Sequence, residues 1–188
     1  MGLGAVIAFE YALTPAWARV LATLALCAAV LMETSRRRSP RVNSVLMRLF
    51  APVAHPHEAT HVNSATWYAG AVWLLAWLSP TRWGVVGLLC LAAGDPAAAL
   101  VGKRWGRVRF RNGRSLEGSL AFVLACAGVA GAYLWLFYDD LGAQTCFTMA
   151  AAAGAAGALA EQLSGRLDDN LTIPLAATAI AELVMAMS

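Results

Sequence analysis

Six long apolar blocks in a chain of 188 residues leave few folds open. They run over 16–33, 64–79, 83–101, 118–138, 144–163 and 171–188. A helix needs about 20 mainly apolar residues to cross the bilayer core. Inside lipid, each span must satisfy its own backbone polar groups, and a helix does so. Only 13% of the residues are Asp, Glu, Lys or Arg, and 60% are hydrophobic. That charged share is about half that of a soluble domain. The expected fold is an all-α, polytopic membrane bundle of about six transmembrane helices, with residues 1–188 as one membrane-embedded catalytic domain. Block 64–79 is short, so it extends or lies flat. Residues 2–13 contain Glu10 and lack a basic leader, so they read as a short amphipathic or seventh helix, not a signal peptide.

Cys27, Cys90, Cys126 and Cys146 lie in separate blocks with no CxxC spacing, and read as small packing residues. Gly154 and Gly157, in a run of alanines, allow close helix approach. Trp67, Trp73, Trp77, Trp83 and Trp135 are expected at the membrane interface or facing lipid. Glu182, deep in the last block, calls for an interhelical hydrogen bond.

Basic residues orient the bundle. Loop 34–63 carries Arg36, Arg37, Arg38, Arg41 and Arg48. Loop 102–117 carries Lys103, Arg104, Arg107, Arg109, Arg111 and Arg114, and loop 164–170 carries Arg166. Of the 14 Lys and Arg residues, only Arg19 and Arg82 fall elsewhere. Short loops rich in Lys and Arg stay cytosolic, so these three loops are expected on the cytosolic face. Most of the acids gather there too: Glu33, Glu58, Asp95, Glu117, Glu161, Asp168 and Asp169, with Asn63, Ser119 and Asn170. Carboxylates in or beside a bilayer are costly and tend to mark a site.

The segment GDPAAALVGKRWGRVRFRNGRSLEGS, residues 94–119, holds the densest charge. Residues before a proline are pushed out of the helical region, Asp caps helices well, and Pro suits a first helical turn. The third span is therefore expected to break at Gly94-Asp95 and restart at Pro96, placing helix amides where an anion can bind. The basic loop supplies phosphate contacts, though a plain positive-inside anchor accounts for its charge equally well. It is not a Walker A loop: Ala97 stands where Gly is required, and Arg104 follows Lys103. A carboxylate near a triphosphate calls for a metal, and Mg²⁺ takes one or two carboxylates plus phosphate oxygens. Acids, bases and a nearby bilayer together suit phosphoryl transfer to a lipid hydroxyl.

The motifs GDPAAALVGKRWG, RSLEGSLAF and DDNLTIPL, in that order, resemble the polytopic CTP-dependent lipid kinases: dolichol kinase, phytol kinase and the CTP-using diacylglycerol kinase. That family is related to the phosphatidate cytidylyltransferases. HEATHVNSATW, upstream, resembles a segment of prokaryotic members. The resemblance spans roughly residues 33–175. It implies CTP as donor, Mg²⁺ as cofactor, and a membrane lipid alcohol as acceptor: a polyprenol, phytol or related isoprenoid alcohol, or diacylglycerol. It also implies that Asp95 belongs to the metal–nucleotide site and Gly102, Lys103 and Gly106 to the nucleotide loop. Ser115, Glu117, Gly118 and Ser119 become the second phosphate or metal element, and Asp169 and Asn170 complete the site. Arg114 stands where the family usually has Lys.

With the residue chemistry added, the catalytic set is Asp95, Glu117, Asp168 and Asp169, with Asp168 or Asp169 offered to the hydroxyl. The metal set is Asp95, Glu117, Glu161 and Asp169. Gly94, Gly102, Lys103, Arg104, Gly106, Arg114, Ser115, Gly118, Ser119 and Asn170 are assigned to nucleotide and phosphate, and Glu58 and Asn63 to the lipid substrate. Three other readings compete: CDP-lipid synthesis, a non-enzymatic lipid-binding or transport protein, and a zinc protease. The last rests on His57-Glu58-Ala59-Thr60-His61, which matches HExxH. Pro56 just before it argues for a loop, and a protease leaves residues 94–119 unexplained.

Overall fold

The structure is a computed structural model that describes residues 15–49, 62–79, 81–110, 112–164 and 167–187. The HExxH segment, Glu58 and the N-terminal segment 2–13 lie outside the described residues. The described chain is helical: α1 Pro15–Arg38, α2 Pro40–Leu49, α3 Ser64–Leu78, α4 Thr81–Leu89, α5 Asp95–Trp105, α6 Leu116–Phe137, α7 Ala143–Leu163 and α8 Asp169–Ala186. A wide π-type turn, Cys90–Gly94, joins α4 to α5. No strand occurs among the described residues; Arg109 and Ser115 make one isolated antiparallel bridge. Among the described residues, four stretches are long and apolar enough to cross a membrane: Pro15–Arg38, Arg82–Trp105, Leu116–Phe137 and Asp169–Ala186. The chain is an all-α polytopic membrane protein.

The core lies where α7 packs against α6 on one side and α8 on the other, and these pack against α4 and its π turn. Phe122, Leu134, Met149 and Ile173 are fully buried there. Close packing depends on missing side chains. A Cβ on Gly94 would stand 2.6 Å from Phe122 Cζ, and one on Gly154 would stand 2.7 Å from Cys126 Cβ. The small-residue stripe of α7 thus brings α6 in, and Glu161 with it.

The third span departs from expectation in how it is interrupted. Gly94 (φ −69°, ψ −51°) and Asp95 (φ −60°, ψ −49°) are both helical, and Asp95 is not an extended N-cap. A proline inside a helix removes an amide donor, and its ring clashes with the carbonyl four residues back. Widening the preceding turn to π geometry relieves that clash and keeps the chain helical. A new α segment still starts at Asp95, with Pro96 in its first turn.

The basic loops also hold more helix than expected. α1 runs on to Arg38, α2 occupies part of loop 34–63, and α5 runs on to Trp105. Trp83 is buried, not lipid-facing, because α4 turns it into the core. Cys27 is exposed, whereas Cys90, Cys126 and Cys146 are buried. The hydrogen bond expected of Glu182 is made to Ser79 Oγ, at the end of α3.

Candidate functional site

The chain folds residues 94–119 back on themselves. α5 carries Lys103 and Arg104 in its last turn, and ten residues later α6 begins. Between them the chain turns at Gly113, whose φ of +84° is a left-handed conformation that glycine adopts readily. Phe110 N–H donates to Arg114 O (2.8 Å) and Leu116 N–H to Val108 O (2.9 Å), closing the loop. Ser115 is the extended N-cap of α6, and its Oγ accepts the Gly118 N–H at 3.1 Å. Three glycines crowd this serine. A Cβ on Gly106 would lie 2.8 Å from Ser115 Oγ, one on Gly102 3.0 Å away, and one on Gly118 3.1 Å away. They let the end of α5 press against the start of α6.

Among the described residues, two cavities open at this end of the bundle. The first, about 260 Å³, is lined by Gly102, Lys103, Arg109, Arg114, Ser115, Gly118, Ser119, Glu161 and Gln162, among others. It is basic and serine-rich, at a helix N-terminus, which suits phosphate. The second, about 360 Å³, is lined by Ser64, Asp95, Arg114, Ser164, Leu167, Asp168, Asp169 and Asn170. It holds most of the site's carboxylates.

Arg114 belongs to both cavities. One Nη is ion-paired with Glu161 of α7, and the other with Asp169 of α8 at 3.1 Å. Asp168 is the N-cap of α8: its Oδ1 accepts the Asn170 N–H at 3.0 Å and Asn170 Nδ2 at 2.6 Å. Its Oδ2 accepts from Ser64 Oγ at 3.0 Å, tying α8 to the start of α3. Asp95 differs from these. Its charged neighbours are Asp169, Arg114 and Asp168. Among the described residues, no hydrogen bond or ion pair engages its carboxylate.

The sequence-derived residues therefore divide. Asp95, Asp168, Asp169 and Asn170 line one cavity, while Gly102, Lys103, Ser115, Gly118, Ser119 and Glu161 line the other, with Arg114 common to both. Glu117 is not brought to the other acids: its Oε1 accepts the Val108 N–H at 3.2 Å. Arg104 lies over the Trp105 ring, 5.1 Å from its centroid. Gly94 is buried against Phe122, and Gly106 against Gly102 O and Ser115. Asn63 caps α3, its Oδ1 accepting the Ala65 N–H at 2.8 Å. Among the described residues, no three Asp, Glu, His or Cys side chains are grouped to hold a metal ion by themselves.

Several polar contacts escaped the sequence reading. Gln162 donates to Ser119 Oγ (2.9 Å) and accepts from Asn112 Nδ2 (2.8 Å), bracing the loop against α7. Glu33 is buried, bonded to Arg36 (2.7 Å) and Arg37 (2.5 Å), and accepts the Asn63 N–H at 3.3 Å. Ser64, the next residue, reaches Asp168. The adjacency of Ser64 to Asn63 and of Gln162 to Glu161 was visible in sequence, but the pairing across helices was not.

The fold is that of an all-helical membrane protein with a basic cavity and an acidic one side by side at one end of the bundle. Two known proteins are similar to it. The chain is 28% identical over 155 residues to CTP-dependent diacylglycerol kinase 1 of Schizosaccharomyces pombe, covering 78% of this chain and 71% of that protein. It is 38% identical over 99 residues to phytol kinase of Synechocystis, covering 51% of this chain and 42% of that protein. Both support the CTP-dependent lipid kinase family, which the motifs resemble. No family model matches the chain, and no solved structure does.

Proposed function

We propose that this protein is a CTP-dependent kinase that moves the γ-phosphate of CTP to the hydroxyl of a membrane lipid alcohol. The observation that carries this reading is the meeting of the two cavities at Arg114, one basic and the other carboxylate-lined. The two lipid kinases to which the chain is similar support it. Phytol, a polyprenol and diacylglycerol all fit the reading as acceptors. The site faces the cytosol, on the argument of the basic loops, and residues 1–188 form one catalytic domain.

Lys103 and Arg114, with the Ser115-capped start of α6, bind and orient the triphosphate from the basic side. Arg104 and Arg109 add positive charge around the loop. The donor set fits Mg²⁺ in one respect. Asp95 and Asp169 supply oxygen ligands in one cavity, and Mg²⁺ needs only one or two carboxylates when phosphate oxygens and water complete its shell. A Mg²⁺ ion held there by Asp95 and Asp169 would supply positive charge against the transferring phosphoryl group. Asp168, fixed by Ser64 and Asn170, is placed to orient the acceptor hydroxyl or take its proton.

The test uses purified protein in lipid vesicles with a panel of lipid alcohols and CTP labelled at either phosphorus. Label from the γ position entering lipid is expected. Label from the α position in lipid would mean CDP-lipid synthesis and would overturn the kinase reading.

A further inference from the structure

Arg114 combines two properties that no other described site residue shares. It lines both cavities, and its guanidinium is held by carboxylates from two different helices, Glu161 of α7 and Asp169 of α8. An arginine stays charged at any working pH. Asp169 beside it cannot hold that guanidinium and a divalent cation equally well, because the two positive charges repel. A phosphate oxygen is as good a partner for the guanidinium as a carboxylate.

We propose that Arg114 is a built-in counter-cation for the acidic cavity. It occupies Asp169 while the site is empty, releases it to a divalent cation, and transfers that Nη to the incoming triphosphate while Glu161 keeps hold of the other. Glu161 is buried on α7 and serves as the pivot. This rests on the kinase reading and deepens it. Its consequence is linkage: cation alone binds weakly, triphosphate strengthens cation binding, and cation strengthens triphosphate binding by the same factor. Arg114 is thus a positioning residue whose two alternative partners couple the two cavities.

The experiment measures binding of Mn²⁺, as a paramagnetic stand-in for Mg²⁺, to the purified full chain by electron paramagnetic resonance with no nucleotide present. Arg114→Gln is expected to bind Mn²⁺ on the order of tenfold more tightly than the unmodified protein, within the range usual for coupled sites. Lys103→Gln removes the same charge from the wall of the basic cavity, where no acid among the described residues pairs with it, and is expected to leave nucleotide-free Mn²⁺ affinity unchanged. Arg114→Gln/Asp169→Asn is expected to lose the gain. Arg114→Lys keeps the charge, guards against misfolding of the Gln variant, and is expected to bind Mn²⁺ as weakly as the unmodified protein. Equal or weaker Mn²⁺ binding by folded Arg114→Gln overturns the proposal, as does an equal gain in Lys103→Gln. The kinase reading is scored separately, by γ-phosphate transfer in the unmodified protein. Transfer without the Mn²⁺ effect sinks only this inference, and the Mn²⁺ effect without transfer sinks only the kinase reading.

Discussion

Two carboxylate–arginine clusters, one buried and one half-buried, lie near one end of this bundle, and they are built in opposite ways. Glu33 meets Arg36 and Arg37 three and four residues along its own helix, so α1 alone makes the pair and positive charge is in excess. Arg114 meets Glu161 and Asp169 on two different helices, with Asp95 and Asp168 nearby, so four segments must assemble and negative charge is in excess. The first cluster closes on itself and fastens Asn63 of α3 to α1. The second leaves a carboxylate uncommitted beside a cavity. A cluster whose acid is already paired holds structure, whereas one with surplus acid has capacity for a cation.

The sharpest way to break this comparison is Asp95→Asn. Among the described residues Asp95 makes no ion pair, so the variant is expected to keep its thermal midpoint. Phosphoryl transfer is expected to fall by at least about 10²-fold, as when one charge-stabilising group is removed from an active site. Labelled transfer and melting, measured on the same preparation, check it. Near-normal turnover would remove Asp95 from the site.

Glu33→Gln is expected to show the reverse balance. It leaves the Arg36 guanidinium, whose side chain is 6% exposed, without its carboxylate. Breaking one side of a buried pair costs about 3 kcal/mol or more. The midpoint is therefore expected to drop well below that of Asp95→Asn, with transfer reduced in proportion to the folded fraction. An unchanged midpoint would mean that the Glu33 cluster is not a fastening.

How much of this was legible in sequence follows the same division. Apolar blocks and glycine-rich stripes announced helices and their close approach, because both depend on local composition. Asp95 and Arg114 were legible as charges out of place in a greasy chain. Their geometry was not. The π turn before Pro96 answers a clash with the preceding carbonyl, and sequence alone favoured a break there. Glu117 sat beside Ser115 in the motif and looked like a partner for the other acids, but one turn of loop offered it the Val108 amide. Ser64 and Gln162 joined the site through contacts more than forty residues away in sequence, which no local pattern encodes.

The smallest expected effect comes from Arg82 and Asp140, an ion pair outside both clusters, joined at 2.8 Å with the carboxylate more than half exposed. Hydrogen bonding from Arg82 holds the Asp140 carboxyl below the usual range. A depressed carboxyl contributes stability above its unfolded value of about 3.9 and loses it as pH falls through the lower folded value. Water screens this pair, so Asp140→Asn is expected to leave the neutral-pH midpoint almost unchanged. It is expected to flatten slightly the drop in midpoint expected of the unmodified protein from about pH 5 downward. A neutral-pH loss as large as that of Glu33→Gln would show that exposure does not separate the fastening pairs from the incidental ones, and burial would cease to explain why the Glu33 cluster matters.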